Sequence, residues 1–88
     1  GIAMRLKEAM EDPIRHGMIV KHDPGYHNGC RFYSPTVTIV NPRNGKKAVS
    51  DVCTISKSCS HWYVKDADDK HILGPVYSCQ VFEVLCKP

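Results

Sequence analysis

The chain has 88 residues and a formal net charge of +3, enough for one domain, residues 1–88, and not two. A hydrophobic fraction of 42% and a charged fraction of 24% are ordinary for a globular protein and argue against disorder. No apolar run approaches the roughly 18 residues of a membrane span, and the mild, dispersed positive charge suits an anionic partner without requiring one.

Residues 4–12 read as a short helix. Leu6, Ala9 and Met10 recur at helical spacing, with Arg5, Lys7, Glu8 and Glu11 opposite them. Asp12-Pro13 is expected to end it, because proline clashes with the preceding turn. From Gly17 onward the pattern is that of strands. Met18 to Lys21 is the first, and Asp23 to Gly29 is dense in turn formers. Cys30 to Val40 is extended with a break near Ser34-Pro35, and Val37 and Ile39 alternate with Thr36 and Thr38. Asn41 to Gly45 is a turn, since Asn-Gly tolerates the positive φ of tight hairpins.

Lys47 to Ile55 is a weaker strand, and Lys57 to Ser60 a connection. His61 to Lys65 and His71 to Leu73 flank a hairpin over Asp66 to Lys70. Gln80 to Cys86 is apolar on both faces apart from Glu83, which predicts an inner strand covered on two sides. The fold expected is α+β: a short N-terminal helix packed on a curved, mainly antiparallel sheet of five or six strands.

Five cysteines, an odd count, with no secretory leader pattern point to a reducing compartment and free thiols; a disulfide-linked domain is the alternative. His22, His27 and Cys30 form one loose group, and Cys53, Cys59 and His61 another. Neither contains the paired C-x-x-C knuckles of structural zinc, so no metal is expected. Cys59 and His61, two apart, would share a strand face. No local signature supplies the activation and oxyanion donors that a nucleophile needs, and no catalytic residue is assigned. Asp66, Asp68 and Asp69 suit a hairpin tip, and the Gly-rich phosphate loop is absent.

Aromatic residues carry the more specific reading. Tyr26 lies among turn formers beside His27 and Asn28, where a ring can stack on a base and its neighbours can hydrogen-bond the base edge. Trp62 is either core or ligand-facing.

Two segments resemble a known family. Residues 8–33 run Glu8-Ala9-Met10 through Gly17-Met18-Ile19-Val20-Lys21 to Tyr26-His27-Asn28-Gly29 and Arg31-Phe32-Tyr33. They resemble the opening of the phage Thoeris anti-defence sponge proteins: a helix E-A-L-x-x-L-K, a Gly, an apolar strand ending in a base, and an aromatic-Asn-Gly loop. Residues 62–80, Trp62-Tyr63-Val64-Lys65 through Ile72-Leu73-Gly74-Pro75 to Tyr77-Ser78-Cys79-Gln80, are similar to that family's hairpin K-x-A-D-G-x-I-V with its following tryptophan and Ser-Gln. Val81 to Leu85 takes the place of its closing Asp-Trp-x-Val segment. Tyr26 stands where the family has a loop tryptophan, Tyr77 roughly replaces the hairpin tryptophan, Pro13 interrupts the helix, and residues 35–60 have no counterpart.

The resemblance implies a cofactor-free viral protein of the host cell cytoplasm that assembles into homo-oligomers. It would capture a nucleotide-derived immune signal, of cyclic ADP-ribose type or another cyclic nucleotide, without degrading it. Tyr26 would stack on a base, Asn28 would be a polar contact, and Gln80 matches the Ser-Gln glutamine. His27, Trp62, Lys65 and Tyr77 complete the expected ligand-binding set. The alternative is a small inhibitor that binds a host protein or single-stranded nucleic acid.

Overall fold

In the computed structural model, which describes residues 4–51, 58–59 and 61–87, a sheet is covered by helices on one face, and among those residues the other face carries no covering layer. The elements are α1 (Leu6–Arg15), β1 (Ile19–Asp23), β2 (Tyr26–Asn28), β3 (Arg31–Tyr33), β4 (Thr36–Val40), β5 (Lys47–Asp51), β6 (His61–Lys65) and β7 (His71–Tyr77). A single 3₁₀ turn, Ser78–Gln80, then leads into α2 (Val81–Cys86). Five strands form an antiparallel sheet in the order β1-β4-β5-β6-β7, and β2 and β3 pair separately as a two-stranded hairpin. The α+β class with an N-terminal helix on an antiparallel sheet is therefore as expected. The part of the expected Lys47–Ile55 strand beyond Asp51, together with Cys53, Lys57 and Ser60, lies outside the described residues.

Strand alternation sets which face is covered. Successive side chains point to opposite faces, so Val37 and Ile39 of β4, Ala48 and Ser50 of β5, Trp62 and Val64 of β6, and Val76 of β7 turn inward, all buried. Leu6 and Ala9 of α1 and Val81 and Leu85 of α2 close over them, with Met4, Met18 and Cys59 filling the margin. Trp62 is the largest fully buried side chain. Its indole N–H donates to Ser78 Oγ at 3.2 Å, and the Ser78 hydroxyl in turn donates to the Cys59 carbonyl. Among the described residues every buried side-chain polar atom has a partner.

Two expectations are corrected. The first helix does not stop at Asp12. It runs through Pro13 to Arg15. Proline costs the helix only the N–H that would have met the Ala9 carbonyl, and here that loss falls in the last turns. The ring is fully buried, and the Pro13 carbonyl accepts from His16 N at 3.0 Å and Met18 N at 2.9 Å. Burial of the ring and closure of the helix end offset the missing bond.

Residues 80–86, expected as an inner strand, form the 3₁₀ turn and α2 instead. Val81 and Leu85, four apart, share the buried side of that helix, while Glu83 is exposed. Gln80 Oε1 accepts the Tyr77 N–H at 3.1 Å and so stabilises the entry turn. At the other end, the last carbonyls of a helix lack intrahelical donors. The β4–β5 turn supplies them: Asn41 Nδ2 and Asn44 Nδ2 both donate to the Leu85 carbonyl at 2.8 Å, and Lys46 Nζ donates to the Lys87 carbonyl at 2.7 Å. Asn41 is buried, and its Oδ1 accepts from Arg43 N at 3.1 Å. Replacing a buried donor strands its partner, at about 1–3 kcal/mol. Asn41→Leu is expected to lower unfolding free energy by that amount in urea titrations, and exposed Asn44→Ala by less than about 1 kcal/mol. Equal losses at the two positions would refute this account of the cap.

Candidate functional site

Residues 24–35 leave the sheet between β1 and β4 as an arm. Asp23 Oδ1 accepts the Gly25 N–H at 2.9 Å, a turn that Asp favours by bonding backbone two residues on. Gly25 has φ +85, and a Cβ there would fall 2.5 Å from the Tyr33 carbonyl oxygen, so this root admits only glycine. At the tip, Gly29 with φ +63 and Cys30 make the two-residue turn. Tyr26 is thus a strand residue opposite Tyr33, not a loop residue as its neighbours suggested. The pairing of rings explains this. Tyr26 and Tyr33 stack with centroids 4.5 Å apart and planes 14° from parallel, and on the opposite side of the ribbon His27 packs on Phe32 at 4.8 Å. The Arg31 guanidinium stands 5.3 Å from the Tyr33 ring centre. Tyr26 is 51% exposed and Phe32 55%.

The open face of the main sheet is the second surface. The strand register stacks its outward residues in rows. One row reads Ile19, Val40, Lys47, Lys65, His71; the next reads Lys21, Thr38, Val49, Tyr63; a third holds Asp23, Thr36, His61 and Tyr77. Val49, Tyr63, Lys65 and His71 line a shallow depression of about 260 Å³. Tyr63 and His71 are tilted rings 6.0 Å apart, and His61 and Tyr77 are a similar pair at 5.8 Å.

The expected site residues are therefore divided. Tyr26, His27 and Asn28 lie together on the arm. Tyr77 is exposed on β7 at the same end of the sheet from which the arm springs, but on the opposite edge, three strands beyond β4. Gln80 is exposed just beyond Tyr77, with its Oε1 engaged by the Tyr77 N–H. Lys65 stands at the far end of the open face, beside His71. Trp62 faces the core with its N–H already used, so it lies on neither surface.

Tyr63 and His71 were not singled out from the sequence, although a signal for Tyr63 existed. In His61-Trp62-Tyr63-Val64-Lys65 the alternation that buries Trp62 and Val64 must turn Tyr63 outward with Lys65.

Cysteine chemistry also differs from expectation. Cys30, Cys79 and Cys86 are free and exposed. Cys59 is buried and disulfide-bonded, so no Cys59 thiol stands beside exposed His61. Among the described residues no three His, Cys, Asp or Glu side chains converge as metal ligands, and no helix is long and apolar enough to cross a membrane.

One ion pair borders the depression. Lys47 Nζ meets Asp69 Oδ1 at 2.6 Å, joining β5 to the β6–β7 turn. Asp69 itself takes φ +63. The hydrogen bond from Lys47 and then its charge, with Lys65 adding at longer range, hold the Asp69 carboxyl below its ordinary 3.8. A lowered carboxyl favours the fold above the ordinary value, and that contribution is lost as pH falls through the lowered one. A carbon-detected NMR titration is expected to place the Asp69 midpoint under 3.8 and to return it upward in Lys47→Gln. An unchanged midpoint in that variant would show the pair to be idle.

No family model, curated protein or solved structure matches the chain.

Proposed function

We propose that the chain is a non-enzymatic capture protein for a nucleotide-derived small molecule, of cyclic ADP-ribose type or another cyclic nucleotide, serving a phage against host immune signalling. The observation that carries this reading is the arm: a half-exposed Tyr26 ring, backed by Tyr33, with Asn28 and Arg31 on the same side of the ribbon. A ring held by another ring is already oriented to stack on a base, and stacking is worth about 1–3 kcal/mol per base. Arg31 brings a guanidinium fork of the kind that grips phosphate. The resemblance in residues 8–33 and 62–80 to the Thoeris sponge proteins supplies the ligand class. Capture needs affinity and stoichiometric supply, not a reactive centre.

The reading also calls for a homo-oligomer. Ile14, Ile19, Phe32, Ile72 and Leu73 are each about half exposed, and a small domain gains stability by covering such residues. It places the chain in the host cytoplasm, where the Cys59 disulfide has to persist among reducing thiols. Cys59 is only 1% exposed, and a sulfur in so buried a residue is poorly reached by an attacking thiolate.

Calorimetry against cyclic ADP-ribose isomers and cyclic dinucleotides is expected to give at least one saturable heat, with the ligand recovered unaltered. Tyr26→Ala should weaken it by roughly 1–3 kcal/mol. Absence of binding at micromolar concentration across the panel would reject the proposal.

A second reading is favoured by the open face, where Tyr63 and Tyr77 stand among Lys21, Lys47 and Lys65: a binder of single-stranded nucleic acid, inhibiting a host process. Phosphate contacts release counterions, so affinity for an oligonucleotide would fall steeply as salt rises. Binding that is weak and indifferent to salt would dismiss this reading.

A further inference from the structure

The depression on the open face lies at the end of the sheet opposite the arm, and the arm's ligand chemistry does not account for it. We propose that it is a separate binding site for a nucleoside monophosphate, with the base against Tyr63 and His71 and the phosphate over Lys65.

Size selects the base. Ligand clefts commonly run from about 300 to 1,000 Å³, and about 260 Å³ accommodates one ring system while leaving sugar and phosphate at the rim. Val49 gives the floor an apolar contact, and the two rings tilted at 48° offer a stacking face and an edge. The Tyr63 ring is also held in place from behind. Gly74 has φ +147, and a Cβ at that position would come within 2.9 Å of Tyr63 Cδ1. The ring therefore occupies space that only a glycine leaves open, and a ring fixed before binding loses less freedom on contact.

Charge selects the phosphate end. Of the two lysines beside the depression, Lys47 is bound to Asp69 at 2.6 Å. Lys65 forms no ion pair of its own among the described residues and acts on Asp69 only at longer range. Lys65 lines the depression, and its ammonium is the cation this proposal assigns to an anion there. Hydrogen bonds between an ammonium and phosphate are charge-assisted and among the stronger polar contacts.

The test is a ¹H–¹⁵N NMR titration of the full chain with adenosine 5′-monophosphate, with adenosine and inorganic phosphate in parallel. Adenosine monophosphate is expected to shift the amides of Val49, Tyr63, Lys65 and His71 saturably, and to bind more tightly than either fragment. Tyr63→Leu should weaken it at least about fivefold and Lys65→Gln about tenfold, with Lys65→Arg and Tyr63→Phe retaining binding; well-dispersed spectra certify that each variant is folded. No shift at millimolar ligand, shifts centred on residues 26–33, or identical shifts from phosphate alone would overturn the proposal. Binding of a cyclic nucleotide at the arm without this response would sink the second site and leave the capture reading intact. The reverse result would do the opposite.

Discussion

The single constraint on which the rest of the structure depends is one-sided burial of the sheet. Trp62 and Val64 on β6, flanked by Val37, Ile39, Ala48 and Val76, can be covered from one side only. Among the described residues two short helices do it, and no further layer covers the opposite face. Period-two alternation then requires that every second residue of β4, β5 and β6 face outward. The exposed rows of lysine, threonine, histidine and tyrosine follow from the same register that forms the core.

That economy makes α2 disproportionately important. A helix of six residues has little stability of its own, yet Val81 and Leu85 are both fully buried. It persists because both ends are tied to the sheet, by Gln80 at the entry and by Asn41, Asn44 and Lys46 at the exit. Ser78 links the same region to Trp62 and Cys59. The β4–β5 turn, which from its sequence is only a connection, is a capping device for a helix more than forty residues away in the chain.

The legibility of the sequence divides along the same lines. The alternating segment Thr36 to Val40 and the hairpin around Asp66 to Lys70 declared themselves because strand period and turn chemistry agreed. Residues 80–86 did not. In six residues, Val-Phe-Glu-Val-Leu-Cys has β-branched character and an i, i+4 apolar pair at once, and periodicity over so short a run cannot separate strand from helix. Pro13 misled for a related reason: the rule against proline in helices is a local cost, whereas its burial against the core is a tertiary gain. The ribbon of β2 and β3 was hidden because its pairing is between rings, Tyr26 with Tyr33 and His27 with Phe32. Cross-strand identity of that kind is visible only once the register is known.

Exposure of rings on the arm has an energetic consequence. An isolated two-stranded hairpin is marginal in water, and two cross-strand aromatic pairs add roughly 0.2–1 kcal/mol each. The arm is therefore ordered chiefly by its root at Asp23 and Gly25 and by those pairs, with Phe32 still half exposed. A single domain gains nothing in stability from leaving such rings uncovered, and it loses solubility. The open face is different: there Tyr63 is braced by Gly74 and the flanking lysines keep the surface hydrated. Uncovered aromatic area thus has two distinct causes in this molecule, a shortage of covering layers on the sheet and a projecting ribbon at the arm. The second calls for a partner or ligand to explain its composition, and so the arm carries the main functional reading; the first leaves the depression lined by Val49, Tyr63, Lys65 and His71 open to a ligand of its own.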